Sequence, residues 1–218
     1  MINIEYFTFN PFQERCSVVW DNDKYCAVID PGFHDEAERD ALYRLIESKE
    51  LKVKAILLTH THFDHVFGTA EAAAYYNVPV YAHSMEKAVM EEANPALCKA
   101  FGLKIPNAFS ITEAKGTIPV GKLNFEVIDT PGHTPGGVCY LEKEEKVLFS
   151  GDTLFAGSIG RTDNQWGDYD ALMKSIFEKL MILDGDIDVI PGHGPVTSIT
   201  TERMTNPFLM PFNEPYEE

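Results

Sequence analysis

His60-Thr61-His62-Phe63-Asp64-His65 brings three imidazoles and one carboxylate into six residues. Neutral imidazole and carboxylate are the donors that zinc and similar borderline divalent metals take. The apolar run before it, Ala55-Ile56-Leu57-Leu58, reads as a buried strand. At a strand's end, side chains two residues apart point the same way, so His60 and His62 can face one common point. Asp64 and His65 then open a helical pattern and can face a second point close by. Thr59 and Thr61 alternate with the histidines, so they are expected to point away and to hold the loop by hydrogen bonds.

The chain has seven histidines, and two more sit in near-copies of one context. These are Thr130-Pro131-Gly132-His133-Thr134-Pro135-Gly136 and Ile190-Pro191-Gly192-His193-Gly194-Pro195, each after a strand-like run. Pro and Gly on either side make turns that hold a side chain at a strand end. A third run, Val147-Leu148-Phe149, leads through Ser150-Gly151 to Asp152. Five histidines and two aspartates just past strands make seven candidate donors. That is too many for one tetrahedral ion and suits two. His34 and His83 fall outside the pattern and read as residues that open helices.

The constellation resembles the metallo-β-lactamase superfamily, and within it the glyoxalase II-like hydrolases. The resemblance runs from Ile29-Asp30-Pro31-Gly32 through the histidine cluster, Pro131-Gly132-His133-Thr134, Gly151-Asp152-Thr153-Leu154-Phe155, Gly160-Arg161-Thr162-Asp163 and Pro191-Gly192-His193-Gly194. It implies one metal on His60, His62 and His133, a second on Asp64, His65 and His193, and Asp152 bridging the two together with a water or hydroxide. Zinc is the expected metal, with iron or manganese as alternatives. Asp64 and Asp152 would then serve catalysis, Asp64 by orienting the nucleophile as well as binding. The implied reaction is hydrolysis of an S-acylglutathione-type thioester by metal-bound hydroxide. No Gly-x-Ser-x-Gly elbow offers another nucleophile. Glyoxalase II adds a helical C-terminal domain that contacts glutathione; here 25 residues follow His193 (218 − 193), so the expectation is a hydrolase without it, of high KM and weak discrimination among thioesters. One rival within the superfamily is a persulfide dioxygenase with a single iron on two His and one Asp. A metal-binding redox partner is the non-enzyme rival. A β-lactamase would be expected to carry a secretion signal.

Two residues near the ligand set have two readings each. Asp30 is either a turn aspartate or an acid that orients His60 or His65. Arg161 either pairs with Asp163 or Asp168 to hold its loop or reaches the substrate. Arg15 stands where relatives more often carry asparagine, and the sequence offers no account of it.

Composition sets the frame for these residues. A chain of 218 residues suits one domain, expected over 1–206, with 207–218 as a C-terminal tail. Phe208, Leu209, Met210 and Phe212 give that tail an apolar character, so it is expected to dock on the domain or on a second subunit, which would make a homodimer. The formal charge of −16 opposes binding to nucleic acid. No apolar run approaches a membrane span. The start lacks a basic flank and a cleavage site, so the cytoplasm is the expected location. The partner expected is a small-molecule thioester. Cys16, Cys26, Cys98 and Cys139 have no zinc-type spacing and read as buried, reduced residues.

The elements that must position the donors follow from periodicity. Strands are expected near 2–8, 16–20, 25–30, 53–58 and 79–81. Helices are expected over 35–49 and 66–77, and over 84–102 with Asn94-Pro95 as an interruption. A crossover at 103–117 leads to strands near 123–128, 137–141, 146–149 and 187–190 and a helix at 168–182 capped by Asp168. Two strand-rich halves suggest an α/β fold. The resemblance makes it a four-layer αββα sandwich, two mixed sheets face to face with external helices.

Overall fold

Apolar strands such as Ala55-Ile56-Leu57-Leu58 are buried on both faces, so each must lie between two other layers. In the computed structural model, which describes residues 1–210, this is how they lie. The first sheet runs in sequence order through β1 (Asn3–Phe9), β2 (Glu14–Trp20), β3 (Tyr25–Ile29), β4 (Lys52–Leu57), β5 (Val80–Ala82) and β6 (Thr112–Glu113). It is antiparallel from β1 to β3 and parallel from β3 onward.

The second half supplies β7 (Thr117–Val120), β8 (Leu123–Asp129), β9 (Val138–Glu142) and β10 (Val147–Gly151), then a small hairpin of β11 (Leu154–Phe155) and β12 (Ser158–Ile159), then β13 (Asp188–Pro191) and β14 (Thr197–Ser198). The second sheet has the order β14-β13-β10-β9-β8-β7, with only β10 and β13 parallel.

Period-two alternation divides the side chains among three cores. Ala27, Ile29, Ala55 and Leu57 of the first sheet meet Phe125, Val138, Tyr140 and Phe149 of the second, and this is the interior between the sheets. Val28, Ile56 and Leu58 point the other way, onto Leu42, Tyr43 and Ile46 of α1 (Glu36–Ser48). On the far side, Leu141, Leu148 and Val189 pack on Leu172 of α6 (Tyr169–Ser175) and Ile199 of α7 (Ile199–Thr205). The order of layers is therefore αββα, with two mixed sheets and the helices outside. All four cysteines are free and buried.

Three helical expectations change. The helix expected at 66–77 is two, α2 (Phe63–Val66) and α3 (Thr69–Tyr76). Gly68 separates them, and a Cβ there would fall 2.3 Å from the Phe33 ring. Asn94-Pro95 does not interrupt the next helix. The chain passes from α4 (Glu86–Ala88) through a wide turn with i→i+5 geometry, Val89–Ala93, into α5 (Asn94–Phe101), where proline sits in the first turn. The helix expected over 168–182 starts at its Asp168 cap and ends in a similar wide turn, Ile176–Leu180. The expected crossover 103–117 itself contributes β6.

Strand direction decides where the donors meet. β3 and β4 are parallel, so Asp30 and His60 leave the same edge of the first sheet. β8 and β10 both run antiparallel to β9, and β13 is parallel to β10. The loops to His133, Asp152 and His193 therefore leave one edge of the second sheet.

Candidate metal centre

Seven side chains converge at that shared edge. One nitrogen each of His60, His62 and His133 lies within 4.8 Å of the others, and so does one donor atom each of Asp64, His65 and His193. Asp152 stands between the groups. Its Oδ1 is 3.4 Å from His65 Nε2, and its Oδ2 is 3.6 Å from both His133 Nε2 and His193 Nε2. Asp64 Oδ2 is 3.5 Å from His193 Nε2.

Which ring nitrogen faces the centre follows from what the other one touches. His133 Nδ1 lies 2.8 Å from the Arg161 carbonyl, and His193 Nδ1 lies 3.0 Å from the Phe12 carbonyl. His65 Nδ1 lies 3.1 Å from Asp30 Oδ2. A carbonyl or carboxylate only accepts, so these three Nδ1 atoms carry a proton and turn Nε2 inward, where it is bare in the neutral ring. Thr59 Oγ1 donates its one hydrogen to Asp30 Oδ2 at 2.6 Å, so it accepts from His60 Nδ1 at 3.1 Å. His60 Nε2 is then also bare, and it is buried with no hydrogen-bond partner. Asp152 Oδ1 is likewise buried and unpartnered.

Inward-facing ring nitrogens are pressed together here. His62 Nδ1 and His133 Nε2 are 2.9 Å apart, and His65 Nε2 and His193 Nε2 are 3.2 Å apart. Lone pairs and carboxylates aimed at common points fit divalent cations.

Protonation equilibria agree with that donor set. Burial, and then the neighbouring His65, push His60 well below the ordinary imidazole value. Burial and His133 bring His62 down to about 3. Burial works against ionised Asp152, but the charge of the neighbouring His65 outweighs it and holds its carboxyl well below the usual range. The opposite holds at His65. Burial disfavours its charge, yet Asp152 and Asp64 together push its pKa well up.

Asp30 does more than close a turn. Its Oδ1 accepts from Thr59 N at 2.8 Å, so it braces the loop, touches His65 directly and reaches His60 through Thr59. The Arg161 side chain pairs with Asp163 at 2.8 and 3.2 Å, as one of its two readings had it. It also lines the cleft, and its carbonyl orients His133. His34 pairs with Glu38 at the start of α1, and His83 Nδ1 accepts from Met85 N ahead of α4, so neither joins the centre.

Several supporting residues escape a reading by sequence. Glu86 is fully buried and accepts from Thr61 N at 2.6 Å and from Gly136 N at 3.0 Å. One carboxylate thus joins the loop of His60 and His62 to the loop of His133. Asn94 donates to the Thr61 carbonyl at 2.8 Å, and Asn10 donates to the Asp64 carbonyl at 2.9 Å. Arg15 donates to the carbonyls of Pro191 and Gly194 and so clamps the His193 loop. The one available signal was an acid at Glu86, three residues before apolar Val89 on the same helical face.

Two glycines are required by close approach. Gly151 has φ +49°, and a Cβ there would meet Thr59 Oγ1 at 2.3 Å. A Cβ on Gly192 would lie 2.4 Å from Asp152 Oδ1 and 2.7 Å from His65 Cε1.

A family model described as the Metallo-beta-lactamase superfamily matches residues 9–193. The chain belongs to this superfamily. It is 41% identical to the hydroxyacylglutathione hydrolase GloC of Haemophilus influenzae, over 95% of this chain and 98% of that one. Its fold matches the crystal structure of BLEG-1 B3 metallo-beta-lactamase at 36% identity and a TM-score of 0.87, covering 96% of this chain and 100% of that one. It also matches TTHA1623, solved in a di-iron-bound form, at 38% identity and a TM-score of 0.83, covering 94% and 100%. The chain is thus a metallo-hydrolase of the superfamily, and the donor types and convergence of its His/Asp cluster fit a divalent-metal site.

In this metallo-hydrolase the site forms the floor of an open cleft of about 520 Å³, lined by His62, Asp64, His133, Asp152 and His193 below. Phe12, Phe63, Leu97 and Phe101 form an apolar part of the lining, and Arg161, Asn164, Gln165 and Trp166 a more polar part. Among the described residues, no helix is long and apolar enough to cross a membrane.

Proposed function

We propose that this chain hydrolyses thioesters of the S-acylglutathione type with two divalent ions, one held by His60, His62 and His133 and the other by Asp64, His65 and His193, with Asp152 shared. The observation that carries the reading is the position of Asp152 between two donor triads on the floor of an open cleft. The choice of thioester is supported by the relative named hydroxyacylglutathione hydrolase. Zinc suits the nitrogen and oxygen donors, and iron suits them as well, as the di-iron relative illustrates.

Divalent ions in these positions supply Lewis acidity, lowering the pKa of water to about 7 and polarising a carbonyl. The chain's own residues do the rest. Asp64 and Asp152 are ionised and aimed at the cleft, so they can accept from a nucleophilic water and fix its lone pair towards a carbonyl above. The Nε2 atoms of His60, His65, His133 and His193 stay fixed in direction because each Nδ1 is tied to an oxygen.

A second reading, hydrolysis of a β-lactam amide, is favoured by the match to BLEG-1. Metal analysis together with kinetics on S-lactoylglutathione, other thioesters and a β-lactam separates the two. Up to two ions per chain and thioester turnover, both much reduced in His62→Ala, are expected. Turnover of the β-lactam alone would move the assignment to the second reading. One iron per chain with oxygen uptake on glutathione persulfide would replace both with a dioxygenase.

A further inference from the structure

Two parts of the cleft lining differ in chemistry. Phe12 packs edge-on against Phe63 and Phe101, at ring-centroid distances of 4.9 and 5.2 Å. Leu97 extends this surface one turn back along α5. Phe101 remains 57% exposed although its ring sits in an aromatic group. The uncovered apolar surface therefore faces the space above the metal-ligand side chains, where the reacting group must lie.

Another part of the lining is polar. It presents Asn164, Gln165 and the indole of Trp166, whose Nε1 is buried with no hydrogen-bond partner. Arg161 is the one Lys or Arg side chain among the described residues that line the cleft, and Asp163 holds it in a two-point ion pair. Glu92 adds a negative charge at the mouth. A carrier rich in phosphates finds no free cation here, whereas a carrier built of amides finds donors and acceptors.

Thiol carriers in biology are polar molecules, so an apolar group on a thioester comes from its acyl side. We propose that the surface of Phe12, Phe63, Leu97 and Phe101 binds an apolar acyl chain, and that the Asn164–Trp166 part receives an amide-containing thiol carrier, so that the preferred substrates are thioesters of medium-length apolar acids on a peptide-like thiol. The inference rests on the thioesterase reading above. The step itself needs only water: a C–O bond forms at the acyl carbon, the C–S bond breaks, and the departing thiolate takes a proton.

The test is a series of S-acylglutathiones on the metal-loaded protein: acetyl, lactoyl, butanoyl and hexanoyl, with hexanoyl-coenzyme A alongside. Burial of one methylene corresponds to about fourfold in specificity, so kcat/KM should rise by roughly two orders of magnitude from acetyl to hexanoyl, in place of the weak discrimination expected from the sequence alone. Leu97→Ser and Phe101→Ser should each lower the hexanoyl-to-acetyl ratio by about tenfold or more, chiefly through KM. Hexanoyl-coenzyme A should be the poorer hexanoyl substrate. A flat chain-length series, or the same ratio in both variants, overturns the acyl assignment, and equal use of the coenzyme A thioester overturns the carrier assignment. If no thioester is hydrolysed, the proposed function fails separately. Calorimetry then decides the pocket: S-hexylglutathione must bind more tightly than S-methylglutathione, with the difference lost in Phe101→Ser, and equal binding of the two refutes it.

Discussion

Asp152 and Asp64 are both carboxylates at the centre, but they are not equivalent. Asp152 lies within 3.6 Å of nitrogens from both donor groups, whereas Asp64 approaches only His193 and His65. Asp152→Ala should therefore lower metal content more than Asp64→Ala, as read by metal analysis after identical dialysis; equal losses would mean independent sites. The pKa shifts predict an order of release with pH. His62, lowered to about 3, is unprotonated across the neutral and mildly acidic range, so protons compete little at the His60, His62 and His133 group. His65, raised well above the usual value, holds a proton at neutral pH, and an ion binding beside Asp64 and His193 must displace it. Affinity at that second group should fall by about tenfold for each unit of decreasing pH. Stoichiometry followed from pH 7.5 towards 5 should accordingly drop in two steps, with Asp64→Ala abolishing the earlier one. A single step in the native protein would contradict the assignment.

At the scale of elements, the segment from α4 to α5 serves two purposes. The wide turn Val89–Ala93 inserts one extra residue, and inward-facing positions pass from Glu86 and Val89 to Asn94 and Cys98. Both Glu86 and Asn94 thereby reach Thr61, between His60 and His62. Wide turns of this kind recur near functional sites because they re-aim a helix face. The outer side of the same segment carries Leu97 and Phe101 into the cleft. Glu86→Ala would leave the amides of Thr61 and Gly136 buried without acceptors, at about 1–3 kcal/mol each. The expected outcome is a lower melting temperature together with weaker metal binding at the His60, His62 and His133 group. Glu86→Gln should be milder, since its carbonyl oxygen can still serve one of the two amides. Metal affinity unchanged in Glu86→Ala, as measured by competition with a chelator, would show that the loops hold their geometry without the carboxylate.

Across the whole molecule, stability rests on three apolar layers, and the last described residues join one of the outer ones. Leu209 is buried with the group that contains Leu148, Leu172 and Ile199, while Phe208 and Met210 stay about half exposed. Asn206 ties the approach by donating to the Ser158 carbonyl at 3.0 Å and to Glu202 Oε2 at 2.8 Å. Phe212, also expected to dock, lies outside the described residues. Leu209→Ala should cost about 2 kcal/mol, a fall of about 4–8 °C in melting temperature. Removal of the chain after Thr205 should cost more. Size-exclusion chromatography separates the two forms of docking: an unchanged molecular mass with lower stability points to packing within one chain, and a lost dimer points to packing between two.

The donors were legible in the sequence because metal chemistry restricts them to a few residue types, and because His60, His62, Asp64 and His65 are close in the chain. Apolar runs likewise made most strands readable, while the layered architecture was implied by the family resemblance. What sequence spacing could not supply was the approach of residues distant along the chain. Glu86 looks like an ordinary helical acid until two loops, one from each half, bring their amides to it. Arg15 has no partner near it in sequence; its carbonyls belong to Pro191 and Gly194. Arg161 was considered for its charge, yet its carbonyl is what holds His133. The carbonyl of Phe12 does the same for His193, and no side-chain pattern can announce it. Residue type and local spacing determined which atoms could bind metal. The packing of two sheets face to face, with their loop-bearing edges together, decided which nitrogen of each ring faces the centre, how Asp152 stands between the two triads, and which surfaces border them, because those depend on contacts between chain segments that local periodicity does not encode.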